Sequence, residues 1–227
     1  MPRKNSLKTY IKGGYYHIYN RGVEKRIIYQ DEQDYKVFLS YLKYSLLPLP
    51  KPEEIKTIFI LKGLPFKGIP RMPKNFNGKI ELITYCLMPN HFHLLLKQIE
   101  NRTLESFMTS IITRYSMYFN KKYDRVGSLF QGPYKAVLIT EDNYLLHLSR
   151  YIHLNPSEYK DRLASEYSSY ADYLGLRKTR WIKPDVVLNF FNKPVAQEFI
   201  KINNYKDFVE KYKKDPAEIL GNLTLEN

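Results

Sequence analysis

The chain has 227 residues, with 36 Lys and Arg against 23 Asp and Glu, so its formal net charge is +13 at pH 7. Such an excess of cationic side chains suits the binding of a polyanion such as nucleic acid. The single cysteine, Cys86, excludes an internal disulfide framework. Because no apolar stretch approaches the about 18 residues of a membrane span and no hydrophobic signal-peptide core follows Met1, we expect a cytoplasmic protein without a membrane partner.

The first two predicted elements are a strand and a helix. Tyr15 to Asn20 follows a pair of glycines and alternates in period two, which predicts a strand. Asp31 is a helix-capping acid with apolar residues at helical spacing after it, so we predict a helix from Asp31 to Leu46. Residues 47–77 are rich in proline and basic side chains. We interpret them as an insertion that forms an irregular connection, with a basic loop facing nucleic acid as the alternative.

The middle of the chain predicts a hairpin, two helices and a further strand. Pro89 and Asn90 favour a tight turn between the two hairpin strands. The predicted elements are strands Ile80–Met88 and His91–Gln98, helix Leu104–Lys121, strand Tyr134–Ile139 and helix Glu141–Leu154. Without the insertion, the order is strand, helix, strand, strand, helix, strand, which is typical of the ferredoxin-like split βαβ fold. We therefore predict an α+β protein whose antiparallel sheet carries helices on one face, leaving the other for the histidines, a strand or the last helix.

Beyond about Asp161 the pattern is weaker. Ser165–Tyr173, Pro184–Phe191 and Tyr205–Lys213 are predicted as short helices. We therefore expect a small, mostly helical extension over residues 161–227, after a main unit of residues 1–160.

Two histidines in the second hairpin strand are the first candidates for chemistry. Alternate side chains of a strand share a face, so His91 and His93 point the same way while Phe92 points into the core. Two imidazoles in this arrangement can form half of a metal site. The alternative is a pair of surface or hydrogen-bonded histidines.

The second candidate group lies at the end of the last helix of the main unit. Tyr151 and Asn155 are four residues apart and share a helical face, with His147 one turn before them, and Pro156 ends the helix. An amide oxygen suits, with two imidazoles and waters, a divalent ion such as Mg²⁺ or Mn²⁺. A phenol beside that ion could attack a phosphodiester. The alternatives are a packing tyrosine and a helix-stopping asparagine.

Four blocks in a fixed order resemble the HUH single-tyrosine transposases of the insertion-sequence type, and most closely the REP-associated tyrosine transposases. They span most of residues 10 to 175, together with a weaker fifth block. The blocks are Gly14–Gly22, Met88–Leu94, Gly127–Gln131 followed by Tyr134 and Lys135, Tyr151–Pro156 and, more weakly, Glu166–Tyr170.

The resemblance implies a role for each residue of the two candidate groups. His91 and His93 would bind the divalent ion, Mg²⁺ or Mn²⁺, and Tyr151 would be the nucleophile. Asn155 would complete the metal site, where relatives often carry Gln. The implied activity is that of a metal-dependent endonuclease and strand transferase, which acts on single-stranded or hairpin DNA through a covalent 5′-phosphotyrosine.

The resemblance also implies that residues 1–160 are the catalytic domain and that the extension helps to position DNA. By helical spacing, His147 is a candidate to contact the metal ligands without binding the metal itself. Arg114, Lys135 and Arg150 are candidate phosphate contacts. Both a monomer and a homodimer remain open.

Functions of other classes remain open as well. Ferredoxin-like folds include non-catalytic proteins that bind single-stranded nucleic acid, although such a protein needs neither the paired histidines nor Tyr151. A Zn²⁺ hydrolase would need a third strong ligand. A nucleotide hydrolase of the histidine-triad type would need another alternate histidine, and position 95 is Leu95.

Overall fold

A four-stranded antiparallel sheet organises the chain. The computed structural model of the chain describes residues 10–156, 167–191 and 204–212. The strands are β1 (Tyr15–Arg21), β2 (Thr57–Leu61), β3 (Leu64–Gly68), β4 (Ile80–Met88), β5 (His91–Gln98) and β6 (Lys135–Ile139). The main sheet has the order β4-β5-β1-β6, so β5 and β1 are its central strands. The predicted α+β class and ferredoxin-like order are confirmed.

Helices cover both faces of this sheet. The helices of the described residues are α1 (Glu32–Leu46), α2 (Pro52–Ile55), α3 (Thr103–Lys122), α4 (Asp142–Leu154), α5 (Tyr170–Tyr173), α6 (Asp185–Leu188) and α7 (Tyr205–Glu210), of which α2 belongs to the insertion. The α1 helix begins as predicted, because the Asp31 side chain accepts a hydrogen bond from the amide of Asp34.

The first face of the sheet carries α1 and α3. Directly paired residues of neighbouring strands point to the same side, and Ile18 of β1 is paired with Leu94 of β5. Both are fully buried in one apolar cluster with Phe92 of β5, Phe38 of α1 and Phe107 of α3. The predicted placement of helices on one face is therefore correct for these two helices.

The second face of the sheet carries α4. Cys86 of β4 and Leu95 of β5 are fully buried there in a second cluster, together with Leu148 and Ile152 of α4. Because α4 rests on this face, its last turn comes close to the beginning of β5. Of the three occupants we left open for this face, the last helix of the main unit is found there.

The proline-rich insertion has more regular structure than expected. Within residues 47–77, β2 and β3 form an antiparallel hairpin in which Phe59 is paired with Phe66. Lys62 and Gly63 close it with positive φ angles of 50° and 81°, a two-residue turn that matches the twist of the strands. Apolar side chains of both strands are exposed, among them Ile60. The irregular connection we predicted is therefore wrong for residues 57–68.

The extension pairs with the edge strand β4 and packs against α4. Ser168 forms an antiparallel bridge with Cys86, and Ile182 forms a parallel bridge with Leu82. The extension's helices, α5, α6 and α7, are shorter than the segments we predicted, and Ser165 and Lys213 lie outside the described residues. The expected boundary at residue 160 also falls outside them. Within the described ranges, no helix has the length and apolarity needed to cross a membrane.

Candidate active site

The candidate site begins with the two histidines of β5. Phe92 is fully buried on the α1 face, with its ring centroid 5.3 Å from that of Phe38. Strand alternation therefore turns His91 and His93 to the α4 face, as predicted. Their ring centroids are 5.1 Å apart, and the rings are nearly perpendicular. The register pairs His91 with Arg21 and His93 with Tyr19 on β1.

The last turn of α4 brings Tyr151 and Asn155 to these histidines. The Tyr151 ring meets the His93 ring edge-on, with 5.3 Å between the centroids. Asn155 caps the helix, and its Nδ2 donates a hydrogen bond to the Tyr151 carbonyl over 3.2 Å. This bond directs the other amide atom, Oδ1, to a position 3.3 Å from Nε2 of His91. All four residues proposed to carry the chemistry therefore meet at one place.

His91 faces an amide oxygen at each of its ring nitrogens. Oδ1 of Asn90 lies 2.6 Å from its Nδ1, and Oδ1 of Asn155 lies 3.3 Å from its Nε2. The Asn90 amide is oriented because its Nδ2 donates to the Lys25 carbonyl. A neutral imidazole has only one N–H, so one of its nitrogens must present a lone pair to an oxygen lone pair. A cation placed between Nε2 and Asn155 relieves that repulsion.

His93 is fully buried and contributes a further nitrogen that could bind a metal ion. Its Nδ1 lies 2.9 Å from Nε2 of His17. Its Nε2 is buried and has no hydrogen-bond partner within the described part of the chain. Burial, with the neighbouring His91 and His17, holds the pKa of His93 well below its ordinary value. His93 is therefore a neutral imidazole with a nitrogen available as a ligand.

These donors fit a divalent metal ion. Burial also lowers the pKa of His91, an effect that the Asn155 contact opposes and the charge of Arg21 increases, so His91 too is suited to bind a metal as a neutral ligand. Among the described residues, no group of three His, Cys, Asp or Glu could hold a metal. The donor set consists instead of two imidazole nitrogens and the amide oxygen of Asn155. Three neutral ligands leave coordination positions for water or phosphate oxygens.

Cationic side chains lie beside the histidines. Arg21 is paired with His91 in the sheet, and its Nε donates to Oε1 of Gln131 over 2.5 Å. Lys135 of β6 is exposed, and its Nζ lies 5.5 Å from the centroid of the Tyr19 ring. The structure thus brings the predicted Lys135 to the site and adds Arg21, which we did not predict. The alternation of His17, Tyr19 and Arg21 along β1 is the signal that could have identified it.

The other predicted residues lie elsewhere. Arg114 is on the α1 face of the sheet, where its guanidinium stacks on Tyr41 at 4.5 Å and donates to Ser45. His147 lies 2.5 Å from Arg150, through its Nδ1. Burial, followed by the charge of Arg150, lowers the pKa of His147 to about 4.

Arg150 is buried where α7 contacts α4. Its guanidinium lies 4.4 Å from the Phe208 ring centroid and 3.3 Å from that of Tyr212. Burial lowers its pKa to about 10. Contact between Arg150 and a phosphate would therefore require displacement of α7.

His153 joins α4 to the extension. It is fully buried between Tyr205 and Ser169, whose hydroxyl oxygens lie 2.8 Å from its two ring nitrogens. Burial lowers its pKa to about 3, so this imidazole is neutral. Its hydrogen bonds hold the helix that carries Tyr151 against the extension.

Comparison with known proteins supports the family resemblance. Residues 74–155 match the family model described as transposase, IS200-like. This range includes β4 and β5, α3, β6 and the whole of α4, and therefore all four residues that meet at the site. Over these residues the chain is similar to IS200-like transposases. No curated protein matches the chain.

Two solved structures are similar to this chain to different degrees. One is a REP-associated tyrosine transposase bound to a REP hairpin, which shares 12% identity and a TM-score of 0.50, over 78% of this chain and 96% of that chain. At this identity the likeness shows a shared fold. A second, described as a candidate transposase from Deinococcus radiodurans R1, shares 13% identity over 67% of this chain and 95% of that chain. Its TM-score of 0.36 is too low to indicate a shared fold.

Proposed function

We propose that the chain is a metal-dependent endonuclease and strand transferase that acts on single-stranded DNA through a covalent 5′-phosphotyrosine on Tyr151. The observation that carries the proposal is the convergence of Asn155 Oδ1, His91 Nε2 and the Tyr151 ring at the junction of α4 and β5. A protein that only binds nucleic acid has no need of a phenol placed beside a nitrogen and an oxygen that could both bind a metal ion.

His91, His93 and Asn155 would hold Mg²⁺ or Mn²⁺. When bound, the ion would polarise a non-bridging phosphate oxygen and neutralise charge that develops in the transition state. Oδ1 of Asn90 accepts a hydrogen bond from the Nδ1–H of His91, which leaves Nε2 as the ligand nitrogen. The set contains two imidazoles and one amide oxygen, which is one strong ligand short of a hydrolytic zinc site and two short of a structural one.

Tyr151 performs the substitution. Its phenolic oxygen forms a bond to phosphorus while the bond from phosphorus to the 3′ oxygen breaks, so the products are a 5′-phosphotyrosine and a free 3′-hydroxyl. The phenol loses its proton and the leaving oxygen gains one. Attack by another 3′-hydroxyl reverses these changes and restores the phenol, so strands are rejoined without a nucleotide cofactor. Packing of α4 on the sheet fixes the Tyr151 ring beside His93, which lowers the entropic cost of attack.

The substrate we propose is hairpin DNA with single-stranded flanks. The structure with the same fold holds a REP hairpin, and this chain has a net charge of +13. Arg21 and Lys135 flank the histidines and can neutralise phosphates next to the cleaved bond. We propose that residues 1–160 form the catalytic domain and that the extension supports α4 from behind.

The test is formation of a covalent adduct. A labelled pool of DNA hairpins with randomised loops and flanks would be incubated with the protein and Mg²⁺ or Mn²⁺, then run on a denaturing gel. We expect an adduct with the wild type and none with EDTA or with Tyr151→Phe. Tyr144→Phe, which changes an exposed tyrosine of the same helix, is the matched control and should form the adduct normally.

Two results would overturn the proposal. Cleavage without an adduct, or cleavage that survives in Tyr151→Phe, would indicate hydrolysis by activated water. Tight binding of the pool by the wild type, with neither adduct nor cleavage for any sequence recovered from the pool, would indicate a non-catalytic nucleic-acid-binding protein.

A further inference from the structure

A second pair of histidines lies deeper in the sheet. His17 of β1 and His93 of β5 are both fully buried, with Nε2 of His17 2.9 Å from Nδ1 of His93. Their rings are stacked, with 5.1 Å between centroids and 20° between planes. In the register of the sheet, His93 is paired with Tyr19 and His17 with Leu95, so the two histidines are diagonal neighbours on the α4 face.

We infer that His17 is a positioning residue of the metal site: its Nε2 accepts the Nδ1–H of His93 and so fixes the tautomer of His93 whose Nε2 lone pair faces the ion. This inference rests on the proposed function, because it assumes that His93 is a ligand. In this role His17 would act through His93 and would not itself be a ligand.

The direction of this hydrogen bond decides whether His93 can be a ligand. A neutral imidazole carries one proton, and a metal requires a lone pair on Nε2, so that proton must be on Nδ1. The Nδ1–H then needs an acceptor, and the structure provides Nε2 of His17 at 2.9 Å. With the bond reversed, the Nδ1 lone pair of His93 accepts from His17, and an N–H points from His93 Nε2 into the site.

The position of His93 Nε2 favours the direction in which His93 Nδ1–H donates to His17. Nε2 of His93 is buried and lacks a hydrogen-bond partner in the part of the chain that the structure describes. A lone pair at the same position is satisfied as soon as a cation binds. Metal binding therefore selects the tautomer in which His17 is the acceptor.

The two ligand histidines are held by different kinds of partner. His91 is held by the Asn90 amide oxygen, which can only accept. His93 is held by an imidazole, which can accept or donate. Partners of metal-bound histidines are usually carboxylates, carbonyls or waters, and their removal costs about 10- to 100-fold in metal affinity or activity. We expect loss of the His17 acceptor to have an effect in that range.

Two substitutions of His17 distinguish its role as hydrogen-bond acceptor from a role in which its side chain only fills space. In His17→Gln, the amide oxygen can occupy the position of Nε2 and accept from His93. In His17→Asn, the side chain is shorter and its oxygen falls near the position of Nδ1. Both variants are polar and uncharged, so they differ chiefly in the reach of the acceptor.

The experiment is a Mn²⁺ titration of the full chain by calorimetry, without DNA. We expect His17→Gln to bind Mn²⁺ within about threefold of the wild type and His17→Asn to bind it about 10- to 100-fold more weakly. Wild-type affinity in His17→Asn would overturn the inference, as would equal losses in both variants when circular dichroism shows both to be folded. His91→Ala is the control for the site itself: if it binds Mn²⁺ as the wild type does, the proposed metal site fails, whatever His17 does.

A measurement on the unaltered protein covers the case in which a variant does not fold. Long-range ¹H–¹⁵N spectra of the histidine rings report which nitrogen carries the proton. In the Mg²⁺-loaded protein we expect His93 to be protonated at Nδ1 and His17 to be unprotonated at Nε2. Protonation of His93 at Nε2 in a protein shown to bind Mg²⁺ would overturn the role of His17 and the assignment of His93 as ligand.

Discussion

Asn155 Oδ1 and His91 Nε2 lie 3.3 Å apart although 64 residues separate them in the chain. The contact joins the last turn of α4 to the first residue of β5. It depends on two local hydrogen bonds, from Asn155 Nδ2 to the Tyr151 carbonyl and between His91 and Asn90. The position of the helix that carries Tyr151 and the proposed metal site are therefore set by the same contact.

Asn155→Ala should weaken Mn²⁺ binding by about tenfold or more, because an oxygen ligand is lost. Asn155→Asp should strengthen it, since a carboxylate is an anionic oxygen ligand of similar reach. Calorimetry with Mn²⁺ measures both effects. Asn143→Ala, at an exposed position in the first turn of α4, is the control and should bind as the wild type. Unchanged affinity in Asn155→Ala would remove this residue from the ligand set.

The strand that carries the two histidines and the helix that carries Tyr151 were predictable because their signals are local. Alternation fixes the faces of β5, and the turn at Pro89 and Asn90 fixes where β5 begins, so both hairpin strands have the predicted bounds. Spacing of four residues places Tyr151 and Asn155 on one side of α4 in any packing. These patterns need no knowledge of the rest of the fold.

Most of the features that we did not predict from the sequence depend on contacts between segments that are distant in the chain. The role of His17 requires the register between β1 and β5, which the alternation of either strand alone does not provide. Arg150 and His147 lie beneath α7, more than fifty residues later in the chain. The β2–β3 hairpin was missed for another reason: its apolar side chains are exposed on both faces, as Ile60 and Phe66 show, so it lacks the polar and apolar alternation of a half-buried strand.

Arg21→Ala should weaken the binding of hairpin DNA and reduce the slope of log affinity against log salt by about one, because one phosphate contact is lost. Fluorescence anisotropy across a range of salt concentrations measures this slope. Lys121→Ala removes an exposed cation of α3, on the opposite face of the sheet, and should leave the slope unchanged. Equal effects of both substitutions would indicate that binding depends on net charge alone.

Asp34→Asn should lower the free energy of unfolding by about 3 kcal/mol, because it leaves Lys122 without its buried partner. The Asp34 carboxylate is fully buried, lies 2.8 Å from Lys122 Nζ and accepts hydrogen bonds from Tyr118 and Tyr123. Urea unfolding measures the change. Asp31→Asn removes the other, half-exposed carboxylate beside Lys122 and should cost clearly less.

The contribution of Asp34 should also depend on pH. Burial alone would raise its pKa, but hydrogen bonds from Lys122, Tyr123 and the Gln30 amide outweigh burial and lower the pKa below the ordinary 3.8. A carboxylate with a depressed pKa stabilises the fold above the unfolded-state value and loses that contribution as pH falls below it. The difference between the wild type and Asp34→Asn should therefore shrink below about pH 4. A constant difference from pH 7 to pH 3 would contradict the assigned pKa shift.

The most direct test of the proposed chemistry is mass spectrometry of the adduct after nuclease and protease digestion. We predict that the peptide containing Tyr151 carries a nucleotide joined through its 5′ phosphate to the phenolic oxygen, and that the released DNA strand ends in a 3′-hydroxyl. A nucleotide attached to any other residue, or joined through a 3′ phosphate, would contradict the assignment of Tyr151 as the nucleophile or the polarity of the strand transfer.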